Sequence, residues 1–76
     1  MIYKNAMMAY VKSSTNGLVT GSELVQVYLQ TAQENDRQIS KSHVALNVHK
    51  FAKKNAQKVG QCKTKKGQTT SIYLFV

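Results

Sequence analysis

Three carboxylates in a chain of 76 residues leave little with which to run acid–base chemistry or to hold a cation. They are Glu23, Glu34 and Asp36, and Glu23 sits where a helix cap needs it. Serine, histidine and acidic residues occur at no spacing that assembles a nucleophile, a base and an orienting group, so neither a catalytic residue nor an enzymatic activity is expected. The single cysteine, Cys62, excludes an internal disulfide and fits a reducing compartment. A metal is not expected either. His43 and His49 are six positions apart, about 120° around a helix, and no second cysteine completes a zinc site. Proline and tryptophan are absent. No apolar run approaches the ~20 residues of a membrane span. The amino terminus lacks the basic segment and apolar run of a signal peptide. The expectation from these absences is a non-catalytic domain with no cofactor, no small-molecule substrate and no membrane partner.

What the chain has in excess is positive charge: 11 Lys and Arg, a net charge of +8 and a pI near 9.9. Such an imbalance favours a polyanionic partner, nucleic acid before an anionic membrane surface. The length allows one domain, 1–76, with one small core, since a chain of this size buries only ~60% of its unfolded surface.

Ile2 to Ser13 reads as a first helix, with Ile2, Ala6, Ala9 and Tyr10 as its apolar stripe and Met7, Met8 and Val11 widening it. Ser13 to Gly17 are turn formers. Leu18 and Val19 are too few for a strand of their own but enough to add an edge to a sheet formed elsewhere. Thr20 to Glu23, TGSE, is a capping box that opens a second helix, expected over about 21–35. Leu24, Tyr28, Thr31 and Ala32 form its inner stripe, flanked by Val25 and Val27. Asn35, Asp36 and Arg37 break it.

A third helix follows almost at once. Ser40 is its N-cap and Ile39 a staple. At 100° per residue Val44, Ala45, Val48, Phe51 and Ala52 share an apolar face. Ser42, Leu46, His49, Lys50 and Lys53 share the other, with Lys41 and His43 at its edges, and no acidic residue interrupts it. Leu46, on that outer face, either contacts a thymine methyl or sits half-buried beside the second helix, and half-burial is the expectation preferred. After Asn55 the period changes to that of strands: Lys58 to Lys63, a turn of Thr64, Lys65, Lys66 and Gly67, then Gln68 to Val76. From Ile72 onward both faces are apolar, as in a central strand, with Tyr73 and Phe75 as packing residues and Leu18–Val19 as its second neighbour. Cys62 packs or points outward.

Helix, short strand, helix, helix, strand, basic turn, strand is the order of a winged helix-turn-helix, an α+β fold. Three helices lie on one side, a small antiparallel sheet closes the other, and a basic β-hairpin projects as the wing. Lys41, Ser42, His49, Lys50 and Lys53 then line a helix at about 40–55 that fits the ~12 Å major groove of duplex DNA. Lys63, Lys65 and Lys66 sit at the wing, about 63–68, within reach of flanking phosphates. These eight are the expected DNA-binding residues. The absence of an aromatic stacking platform argues against reading single-stranded RNA.

From Leu18 to the end, the chain resembles the carboxy-terminal winged-helix domain of phage, plasmid and poxvirus-type primase–helicases. The resemblance rests on Val19-Thr20, Glu23-Leu24, Tyr28, Ile39-Ser40-Lys41, Lys65-Lys66-Gly67 and Ile72 to Leu74. Two features depart from that pattern. The family's tryptophan late in the second helix is missing, and its Gly-aromatic pair after the recognition helix is replaced by Phe51 to Asn55. The resemblance implies a non-catalytic module that binds double-stranded DNA at a replication origin and delivers a replicative helicase, with a primase–helicase parent chain as its partner. The setting is then intracellular, in cytoplasm or nucleoid, or in the host cell if the source is viral. RFX-type DNA-binding domains have a similar layout, which keeps a transcription regulator open. A protein-interaction module docking an acidic partner or a parent domain is the alternative from another class.

Overall fold

The computed structural model describes residues 2–75. Val76, assigned from sequence to the last strand, lies outside the described residues. Three helices, α1 (Ile2–Ser13), α2 (Gly21–Glu34) and α3 (Lys41–Asn55), pack against three strands, β1 (Leu18–Thr20), β2 (Ala56–Lys63) and β3 (Thr69–Phe75). The sheet is antiparallel with order β1-β3-β2, so β3 is central. This is an α+β fold compatible with a winged helix. Buried side chains from all three helices, β1 and β3 form a single cluster that includes Met7, Val11, Val19, Leu24, Tyr28, Val44, Val48, Phe51 and Phe75.

The facing of α1 differs from the sequence expectation. Met7 and Val11 are buried, whereas Ile2 and Ala9 are exposed. The helix has turned by roughly a third of a revolution from the expected phase. Its apolar residues are spread over most of the circumference between Lys4, Asn5, Lys12 and Ser13, so periodicity fits several phases, and contacts with the other helices decide among them. One such contact is the stack of Tyr3 on Tyr28 of α2, with ring centroids 4.1 Å apart and planes within 8°. The turn after α1 carries Asn16 and Gly17 at φ of 60° and 71°. At Gly17 a Cβ would also stand 2.5 Å from the Phe75 carbonyl oxygen, so glycine is required by both backbone and space.

α2 begins on the expected box. The Thr20 hydroxyl accepts from the Glu23 amide at 3.2 Å, and the Glu23 carboxylate accepts from the Thr20 amide at 3.0 Å. Leu24, Tyr28 and Ala32 are its buried stripe. It ends in a Schellman arrangement: the Arg37 amide donates to the Ala32 carbonyl and the Asp36 amide to the Gln33 carbonyl, with Asp36 at φ 54°. β2 begins at Ala56, two residues before the expected start, because the Ala56 amide still closes α3 on the Ala52 carbonyl while the residue is already extended. Gln68 belongs to the turn instead of β3. Its carbonyl accepts from the Thr64 amide and closes the hairpin.

Candidate nucleic-acid interface

The phase of α3 is set by what it buries. Val44, Val48, Phe51 and Ala52 face the core, with Phe51 against Phe75 at 5.6 Å between centroids. Ser40 caps the first turn by accepting from the His43 amide at 3.2 Å. Lys41, Ser42, His49, Lys50 and Lys53 are consequently all exposed. Two neighbours depart from expectation. Ala45, assigned to the apolar face, is exposed, and so is Leu46, at 53%. The buried stripe narrows to Val44, Val48, Phe51 and Ala52, which leaves Ala45 at the groove beside the hairpin and Leu46 on the outer surface of α3. His43 turns the other way, its Nε2 lying 3.4 Å from the Tyr28 hydroxyl.

The hairpin turn is built by Thr64. Its carbonyl accepts from the Gly67 amide at 2.9 Å and its hydroxyl from the Gln68 amide at 3.3 Å, with Gly67 at φ 83°. This places Lys65 and Lys66 at the two central positions of the turn, exposed. Lys63 ends β2 opposite Thr69 and is exposed as well. The base of the hairpin is tied to α2, since the Ser22 amide donates to the Thr70 hydroxyl at 2.9 Å.

A β-bulge adds a residue that the sequence reading missed. β2 and β3 pair regularly from Lys63↔Thr69 to Gly60↔Ile72. Lys58 is then opposite Tyr73, and Val59 is left over. In an unbroken ladder Val59 would share the face of Ser71 and Tyr73; the bulge gives that place to Lys58 and leaves Val59 51% exposed. Composition and alternation carry no signal for the bulge. Gly60, next to Val59, is the one local hint, because glycine weakens the strand there.

Between α3 and the hairpin runs a groove of about 870 Å³. Ala45, Val48 and His49 form part of one wall, and Lys63, Lys65, Lys66 and Thr69 part of the other. A second hollow of about 470 Å³ adjoins it, sharing His49, Ser71 and Tyr73 and adding Lys53 and Lys58. Of the eight residues expected to bind DNA, His49, Lys53, Lys63, Lys65 and Lys66 are brought together along this double groove. Lys41, Ser42 and Lys50 line neither hollow and occupy the outer surface of α3.

One carboxylate, Glu23, also borders the larger groove. Burial alone would raise its pKa, but hydrogen bonds from the Tyr10 hydroxyl and from the Thr20 amide and hydroxyl outweigh that and hold it below the ordinary value. The same contact, with burial and the carboxylate's charge, pushes the Tyr10 phenol up. Glu23 is therefore a charge already committed to the start of α2. Among the described residues, no group of three or more His, Cys, Asp or Glu is placed to hold a metal ion. No helix among them is long and apolar enough to cross a membrane.

Comparisons with protein-family models, with curated proteins and with solved structures find no match to this chain.

Proposed function

We propose that the chain is a non-catalytic module that binds double-stranded DNA through α3 and the β2–β3 hairpin, the hairpin acting as a wing. The observation that carries this reading is the groove between the two elements. Lys63, Lys65 and Lys66 line one part of it and Lys53 and Lys58 the other, five cations around a hollow whose one bordering carboxylate is engaged elsewhere. Lys41 and Lys50 extend the positive surface along α3. The setting that the resemblance implies belongs to the same proposal: origin recognition on behalf of a replicative primase–helicase, in a reducing intracellular compartment.

Duplex binding across a salt series tests the reading. Neutralising ~4–6 phosphates makes log K fall against log salt with a slope of about −4 to −5, and Lys58→Ala flattens it by about 1. A slope near zero, or no duplex binding at low salt, removes the DNA reading in favour of docking to an acidic protein surface.

A further inference from the structure

The outward surface of α3 has one feature that phosphate binding does not use. Leu46 is 53% exposed, more than Ile2, Leu18, Leu29 or Val59, the other large apolar side chains left in water among the described residues. Those four belong to α1, β1, α2 and β2 and stand outside the basic face of α3. Leu46 stands at its centre. Ser42 lies one turn before it, His49 and Lys50 one turn after it, and all three are exposed. Ala45, also exposed, precedes it and lines the groove. An apolar step thus occupies the middle of a helix surface that is otherwise hydroxyl, imidazole and ammonium.

Resting on the proposed function, we infer that Leu46 is a specificity-determining residue that packs on the C5-methyl group of thymine. The major-groove edges of the base pairs are hydrogen-bond donors and acceptors throughout, and that methyl is their one apolar element. A leucine directed at any other base would desolvate a polar edge without satisfying it. Flanked by Ser42 and His49, which can hydrogen-bond neighbouring edges, Leu46 specifies a T·A pair inside the site. The leucine adds nothing to phosphate attraction, so its contribution is independent of salt.

The test uses the chain and duplexes selected by it from a randomised pool. The selected duplex is resynthesised with deoxyuridine for thymidine, which removes the methyl and leaves every hydrogen-bonding group in place. Wild type should bind the thymine duplex about fourfold more tightly for each methyl packed, the worth of one buried carbon. Leu46→Ala should bring that ratio close to one with the salt slope unchanged. Its exposed position makes loss of folding an unexpected result, and circular dichroism checks it. A wild-type ratio near one, a ratio that survives in Leu46→Ala, or a pool that yields no thymine-containing preference overturns the inference and leaves duplex binding standing. Failure to bind duplex at low salt overturns both.

Discussion

Tyr3 is the side chain whose position is hardest to account for by its own chemistry. Its ring is well used, stacked on Tyr28, but its hydroxyl is buried with no hydrogen-bond partner among the described residues. A buried hydroxyl without a partner forfeits its bonds to water and receives nothing in return. Tyr3→Phe keeps the stack and removes the orphaned group, so urea unfolding should show it more stable by about 1 kcal/mol. Loss of stability would mean that the hydroxyl finds a partner in solution. Tyr28 differs: its hydroxyl lies 3.4 Å from His43 Nε2, and with Tyr3 stacked on its face the three rings link α1, α2 and α3.

At the scale of elements, the start of α2 is the best-determined joint in the chain. Glu23 returns to the Thr20 amide and hydroxyl, and Tyr10 of α1 donates to the same carboxylate. One side chain therefore closes the helix and fixes α1 against it. Since the folded pKa of Glu23 is lowered from the ordinary 4.5, its charged form stabilises the fold. That contribution is full above the unfolded pKa and is lost as pH falls through the folded one. Glutamine in its place can still cap the Thr20 amide but carries no charge. The stability gap between wild type and Glu23→Gln should thus be widest near neutral pH and close progressively below about pH 4.5, read by denaturant unfolding at several pH values. A gap unchanged at acid pH would assign the effect to shape instead of charge.

Across the whole molecule, α3 and the hairpin would present different chemistry to the duplex proposed as their ligand. The hairpin turn offers Lys65, Lys66 and Thr64, which suit phosphate, whereas α3 offers Ser42 and His49 beside its lysines. Replacing Lys65 and Lys66 together by alanine should weaken binding to every duplex alike and flatten the salt slope by about 2. Ser42→Ala or His49→Ala should instead cost ~1–3 kcal/mol of discrimination at one or two base pairs. Sequencing a randomised duplex pool bound by each variant measures both. If the hairpin variant loses sequence preference and the α3 variants keep it, the hairpin is the reading element.

Element order, caps and the central position of β3 were legible in the sequence because each depends on local signals. TGSE sets a helix start, Ser40 sets another, and a strand apolar on both faces from Ile72 onward is covered by neighbours on both edges. Exposure of all eight expected DNA-binding residues followed from the helical period of α3 and from the turn residues Thr64 to Gly67. Three matters were decided only by tertiary structure. The phase of α1 was open because its apolar residues are spread round the helix, and packing against the other helices, the Tyr3–Tyr28 stack among it, selected one. Ala45, on the apolar face by periodicity, is exposed, and Leu46, on the outer face by periodicity, is exposed instead of half-buried, because the width of the buried stripe on α3 depends on packing that periodicity does not encode. Lys58 entered the groove because a single unpaired residue, Val59, reversed the alternation of β2 at that point. A bulge is a property of two strands in register, and one strand read alone cannot show it.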